Sequence, residues 1–330
     1  MPSDPQLIAA VDLGSSSFRM LVGRIDDSHA QTQIYAIDSL REPVRLGAGL
    51  GNDKMLDSPS QQSALEALRR FGERLRSFAP DQVRAVATNA VRVARNGAAF
   101  IEAAEQALGF EIDVISGAEE ARLVYTGVAH LLPIGQGKRL VIDIGGGSTE
   151  FIVGQDYDPL ALESLYIGCV SFYNQFFPEG QVSAKSFRQA ELKARREVTV
   201  LRRQLTELGW NQAIGSSGTA RALAELCIAN GHTDHGINLK GLQAIREELL
   251  RCGHIHHFEL AGIKPDKKAN VPGGLAIMLA IFEELELTGM EVTEGALRQG
   301  LLYDLLGRKS HHDMRDTTAT QFATRYRVGL

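Results

Sequence analysis

The chain has 330 residues, 44% of them hydrophobic and 23% charged, with a formal net charge of −5. That length and balance suffice for two globular lobes with sizeable cores, and they exclude a disordered chain or one built from membrane spans. The acidic balance also excludes a broad nucleic-acid-binding face, while a local basic pocket for one polyanion stays allowed.

Residues 7–13 are an apolar run ending in Gly14 and three serines, 18–25 resume it, and 32–40 supply a third strand. The chain therefore opens on an antiparallel hairpin or meander. Leu65, Leu68, Phe71 and Leu75 give residues 60–78 a helical spacing that Pro80 ends. A strand at 83–87, a helix at 98–108, a strand at 112–115 and a helix at 119–132 then alternate. After a linker at 133–137 the pattern restarts with strand 139–144, a glycine turn, and strands 150–153 and 161–167. A long, charged amphipathic helix follows at 183–208. Ala213 and Ile214 end a short strand at a second small-residue turn, 215–219, which leads into helix 220–229. Helices at 239–251, 274–287 and 295–306 complete the chain, with a short strand at 290–293. No early apolar run is long enough for a secretory signal. Cys169, Cys227 and Cys252 are far apart and in no metal-ligand spacing, so they read as ordinary thiols of a reducing, cytoplasmic compartment.

Two stretches repeat one another. VDLGSSSFRMLVG (residues 11–23) overlays IDIGGGSTEFIVG (142–154) without a gap, matching at Asp12/Asp143, Gly14/Gly145, Ser17/Ser148, Val22/Val153 and Gly23/Gly154. The largest chemical disagreement is Arg19 against Glu150. Two halves that each begin strand, small-residue turn, strand, and then alternate helices and strands, point to a duplicated α/β fold with a ligand in the cleft between the lobes. Turns without bulky Cβ substituents let backbone N–H groups close on a phosphate, with Ser and Thr hydroxyls adding to them. Asp12 and Asp143 beside such a phosphate call for a cation, and hard oxygen ligands favour Mg²⁺.

The paired turns resemble the actin-like ATPase and sugar kinase superfamily, and the resemblance then narrows. TNAVRVARNG (88–97), ISGAEEARLVYTGV (115–128), IDIGGGSTE (142–150) and GALRQGLLYDLL (295–306) are similar, in this order, to the motifs of the exopolyphosphatase and guanosine pentaphosphate phosphohydrolase family. It implies two duplicated actin-like (ribonuclease H-like) lobes, 1–124 and 125–309. Residues 310–330 resemble the start of a further helical domain of the metal-dependent phosphohydrolase type, so the sequence reads as a shortened chain.

The resemblance implies Glu120 as general base, a role suited to a carboxylate at a strand-to-helix junction, although Glu119 and Glu120 could equally favour a helix N-terminus through its dipole. Asp143 and Glu150 match an acidic pair for Mg²⁺ and water, with Asp12 a further metal candidate and a monovalent cation such as K⁺ a further cofactor candidate. Gly145, Gly146, Gly147, Ser148 and Thr149 match a phosphate turn, and Ser15, Ser16 and Ser17 match the first one. Where the family usually has Asn, this chain has Ser16, whose shorter hydroxyl puts a direct role in doubt. Arg92 matches an arginine that reaches substrate phosphate, Gly218 and Thr219 a last phosphate-side loop, and Arg298, like Arg19, either holds phosphate or pairs with cleft carboxylates. The HIHH run (His254, His256, His257) and His311 with His312 read as surface rather than zinc sites. Lys264, Lys267 and Lys268 read as a solvated loop, with a polyanion contact as the alternative.

The expected activity is exopolyphosphatase, with guanosine pentaphosphate hydrolysis as the alternative, because GCVSFYNQFFP (168–178) resembles a segment of long exopolyphosphatases. A kinase or a phosphate-binding protein on the same fold are rivals from other classes, and the second would be expected to lack Glu120, Asp143 and Glu150. Polyphosphate or guanosine pentaphosphate is the expected partner, with a second copy of the chain as a homodimer.

Overall fold

The computed structural model describes residues 6–26, 32–51 and 53–309. In chain order the elements are β1 (Leu7–Leu13), β2 (Phe18–Asp26), β3 (Gln33–Glu42), α1 (Ser58–Arg74), β4 (Val83–Ala87), α2 (Asn89–Val93), α3 (Gly97–Leu108), β5 (Ile112–Val114) and α4 (Gly117–Ala129). The second half holds β6 (Lys138–Ile144), β7 (Thr149–Gln155), β8 (Asp158–Leu165), α5 (Cys169–Phe176), α6 (Ala184–Leu208), β9 (Gln212–Gly215), α7 (Gly218–Ala229), α8 (Leu239–Cys252), α9 (Pro265–Lys268), α10 (Val271–Glu284), β10 (Glu291–Val292) and α11 (Leu297–Lys309). Helices α2 and α5 carry too few apolar repeats to stand out in the sequence. Helix α1 starts ahead of the expected 60–78 because Asp57 caps it, accepting from the Ser60 N–H, and Pro59 sits in its first turn.

The described residues form two five-stranded mixed sheets, ordered β3-β2-β1-β4-β5 and β8-β7-β6-β9-β10. These are the same order written twice. In both, the first two strands pair antiparallel, and the β2–β3 and β7–β8 registers each slip at the same point of the repeat, between Val22 and Gly23 and between Val153 and Gly154. A β-bulge preserved at the equivalent dipeptide supports duplication more strongly than the letter matches do.

Strand residues alternate between the two faces of each sheet, and both faces are covered. Ala9, Val11 and Leu13 pack outward with Leu68 and Phe71 of α1 and Phe100 of α3. Ile8 and Ala10 pack inward with Leu123 and Val124 of α4, Leu301 and Leu305 of α11, and Val141 and Ile152 of the second sheet. Leu140, Ile142 and Ile144 face outward into the core shared with α5, α6, α7, α8 and α10. The molecule is thus layered, with α4 and α11 between the two sheets. Helix α4 runs unbroken across the expected 124/125 division. Residues 310–330, with His311 and His312, lie outside the described residues.

The central helices touch backbone to backbone. A Cβ on Gly127 would stand 2.2 Å from the Ala296 carbonyl, and one on Gly300 1.8 Å from that of Leu123. A buried ion cluster ties the same pair to the first sheet: Asp304 of α11 binds Arg122 of α4 at 2.5 Å, Arg84 of β4 at 3.3 Å and Arg308 at 2.9 Å. Glu119 takes Arg122 with both carboxylate oxygens at 2.8 Å.

Candidate active site

The two repeated turns face each other. In the first, the carbonyls of Ser15 and Ser16 accept from the N–H groups of Gly47 and Arg45. In the second, the carbonyl of Gly145 accepts from Cys169, and that of Gly146 from Val170 and Ser171. With their carbonyls engaged outward, the turns offer the space between them N–H groups and hydroxyls. They come this close because the second is glycine: a Cβ on Gly146 would lie 2.8 Å from Ser15 Cβ, and one on Gly147 2.3 Å from Asn89 Oδ1. The space is a cavity of about 140 Å³ lined by Asp12, Ser15, Ser16, Ser17, Glu120, Asp143, Gly145, Gly146, Gly147, Ser148, Gly218, Thr219 and Arg298. Most of the site residues expected from sequence, scattered over almost 290 positions, are assembled there.

The acids are held in raised states. Cross-strand register sets Asp12 opposite Arg19 and Asp143 opposite Glu150, so the main mismatch between the repeats falls on one rung of the ladder. Directly opposed side chains share a face, so the first turn carries an acid–base rung and the second an acid–acid rung. Burial pushes Asp12 up to about 6 despite Arg298 and Arg19 nearby. Burial also raises Asp143, against a hydrogen bond from Ser216 Oγ at 2.6 Å. Glu150 goes well above the ordinary carboxylate range through burial and the neighbouring Glu120 and Asp143, while Ser164 Oγ donates to it at 2.9 Å. Glu120 is buried and pushed up to about 7, although Arg92 Nη1, 3.2 Å from its Oε2, pulls it down.

Several expected residues sit behind the cavity wall rather than on it. Glu150 and Thr149 are buried and do not line it, and the Thr149 hydroxyl donates to the Ile167 carbonyl at 2.6 Å. Arg92 also stands behind, bound to Glu120 and to the Ile115 carbonyl at 2.8 Å, yet its Nε and Nη2 are buried without a partner among the described residues. Arg298 lines the cavity with its Nε likewise unpartnered. Glu119 turns to Arg122, which leaves Glu120 alone of the two facing the cleft. Ser16 is met across the cleft by Asn270, whose Nδ2 is 3.4 Å from its hydroxyl, so an amide from the other lobe stands beside the position where the loop lacks one.

Sequence reading gave no role to Thr88, Asn89, Arg221 and Asn270, all on the wall. Arg221 could have been found, since it follows the 215–219 turn within the first turn of α7. Lys267 does not stay in a solvated loop: it lines both this cavity and a second one of about 290 Å³ beside it, with Arg19, Arg41, Arg221 and Lys264. The rings of His254 and His256 stack at 4.9 Å, and among the described residues no three His, Cys, Asp or Glu side chains are grouped to hold a metal by themselves. Mg²⁺ does not need such a cage, because it keeps waters and takes one or two carboxylates plus substrate phosphate. Asp143, on the cavity wall beside Ser216, and Glu150, held by Ser164 one rung across the ladder and raised in part by Asp143, are oxygen donors of that kind. Cys169 and Cys227 are buried free thiols and Cys252 is half-buried. No helix among the described residues is long and apolar enough to cross a membrane.

Residues 21–309 match the Ppx/GppA phosphatase family. The chain is 40% identical over 322 residues, 98% of its length, to the guanosine-5'-triphosphate,3'-diphosphate pyrophosphatase of Vibrio cholerae, and it spans 64% of that relative's length. Among solved structures it is similar to an exopolyphosphatase from Cytophaga hutchinsonii, with a TM-score of 0.80 at 24% identity, covering 91% of this chain and 98% of that one. The Aquifex aeolicus Ppx/GppA family member gives a TM-score of 0.71, also at 24% identity, with 92% and 99% covered. At these identities the structural likeness concerns the fold.

Proposed function

The chain belongs to the Ppx/GppA phosphatase family, and from that premise we propose that it hydrolyses the terminal phosphate of guanosine 5'-triphosphate 3'-diphosphate. The observation that carries the reaction type is Glu120: a buried carboxyl raised to about 7, in a cavity walled by two facing phosphate-type turns. Such a group is poised to accept a proton near neutral pH. Water attacks the terminal phosphorus, its proton passes to a Glu120 oxygen, and the bond from that phosphorus to the bridging oxygen breaks, releasing orthophosphate. The turn N–H groups, with Ser15, Ser17 and Ser148, hold the transferred phosphoryl oxygens, and Arg298 and Arg19 offset the charge that spreads over them. Asp143 and Glu150, with Asp12 nearby, are the residues that would hold Mg²⁺, which when bound neutralises phosphate oxygens.

The choice of substrate shifts from the expected polyphosphate to the alternative for three reasons. The segment 168–178 that favoured polyphosphate buttresses the second turn: a Cβ on Gly168 would lie 2.4 Å from the Gly146 carbonyl. A buttress serves either substrate. The 40% identical relative carries the pentaphosphate activity in its name. The adjoining basic pocket offers a place for a second anionic group such as a 3'-diphosphate.

Phosphate release from guanosine pentaphosphate, inorganic polyphosphate and ATP, measured side by side, tests the reading. The highest kcat/KM is expected on guanosine pentaphosphate, and Glu120→Gln should lower its turnover about 10²–10⁴-fold. A higher kcat/KM on polyphosphate, or near-parental turnover in the variant, would overturn it.

A further inference from the structure

We propose that Asn89 is a phosphate ligand, its side-chain Nδ2 donating to a non-bridging oxygen of the phosphoryl group held between the two facing turns. The assignment rests on the phosphoanhydride reading of the cavity, and it concerns a residue that the turn motifs do not include.

Asn89 opens α2, directly after β4, and lines the cavity while only 5% exposed. Its Nδ2 is buried with no hydrogen-bond partner among the described residues. A buried amide donor without a partner is rare and costly, and it calls for a specific explanation such as a ligand oxygen that completes it. The neighbourhood narrows the explanation. The carboxamide belongs to the first lobe but is lodged against the second turn, in the notch left by the missing side chain of Gly147, whose Cβ would stand 2.3 Å from Asn89 Oδ1. A residue needed only to fill that notch could be apolar, without an unmade hydrogen bond. Thr88, beside it, has its hydroxyl on the Leu13 carbonyl at 3.5 Å. Arg92, three residues on and thus on the same face of the helical turn, carries two more unpartnered donors. Helix α2 therefore carries several unsatisfied N–H groups, that of Asn89 on the cavity wall and those of Arg92 behind it, beside Asp12, Glu120 and Asp143. An amide suits that setting, since it donates to phosphate oxygen without adding charge among the acids, whereas a carboxylate at position 89 would repel both.

The test uses the full chain and two probes, guanosine pentaphosphate turnover and inorganic phosphate binding followed calorimetrically, with thermal melting of the phosphate-free protein as a check on folding. Asn89→Ala should lower kcat/KM and weaken phosphate binding about 10- to 100-fold, the range of a hydrogen bond to a charged group. Its melting temperature should not fall, because the unpaired donor is removed. Asn89→Ser, which keeps a donor, should lie between parent and alanine, and Asn89→Asp should lose more than alanine. The proposal is overturned if Asn89→Ala stays within twofold of the parent in both probes, or if it melts lower while phosphate affinity is kept, as a purely structural residue would. If the parent releases no phosphate from any phosphoanhydride, the proposed function falls, and the phosphate-binding arm still decides Asn89.

Discussion

Adjacent glutamates show how side-chain direction divides roles. Glu119 and Glu120 are one helical step, about 100°, apart, so when one turns to Arg122 and α11 the other faces the cleft. The sequence could name both as helix-start acids but could not phase the helix, which is set by what α4 packs against. Arg92 illustrates a second limit: its guanidinium touches Glu120, so part of its effect runs through the proposed base. Burial raises Glu120 and Arg92 lowers it, so removing Arg92 should raise it further. In Arg92→Ala the acidic limb of the pH profile of kcat, expected near pH 7 in the parent, should move to higher pH, with part of the lost rate recovered there. A limb that stays in place while the rate drops at every pH would assign Arg92 to substrate contact alone.

At the scale of elements, the pair α4–α11 sets the site. Glu120 rides on α4 and Arg298 on α11, and the two helices meet through Gly127 and Gly300 with no room for a methyl group. Gly300→Ala should push the helices apart and destabilise the protein by about 1–3 kcal/mol, the usual cost of overpacking, as read from urea or thermal unfolding. Turnover should fall more than phosphate binding, because Glu120, the proposed base, moves relative to the turns. Unchanged stability would mean that the helices separate freely. The glycines themselves were visible within the motifs ISGAEEARLVYTGV and GALRQGLLYDLL. That they face each other was not, since they are separated by more than 170 residues.

At the scale of the molecule, the duplicated lobes concentrate four acids at one seam, Glu120 and Glu150 buried and Asp12 and Asp143 half-buried on the cavity wall. Asp12 and Glu120 rise to about 6 and about 7, and Asp143 and Glu150 rise as well. A carboxyl raised on folding contributes stability that is present below its unfolded value near 4 and lost as pH climbs through the folded value. The metal-free protein should therefore melt higher at pH 5.5 than at pH 8. Millimolar Mg²⁺ at pH 8 should narrow the gap, and Glu150→Gln should shrink it without metal. Equal melting at both pH values would show that the acids are not under this strain.

The sequence alone determined what depends on near neighbours. Alternating apolar residues make the strands, small residues make the turns, and a gapless repeat places Asp12 against Asp143 and reveals two lobes. The strand order and the bulge at each Val-Gly bear this out to the register. Only the tertiary structure decided what depends on residues far apart in the chain: Asn89 in the notch of Gly147, Asn270 opposite Ser16, Lys267 drawn from an expected loop onto two cavities, and Thr149 spent on a backbone carbonyl. The physical reason is that backbone preference is settled within a few residues, whereas the environment that pairs, buries or leaves unpartnered a polar group is built by packing the two lobes against one another.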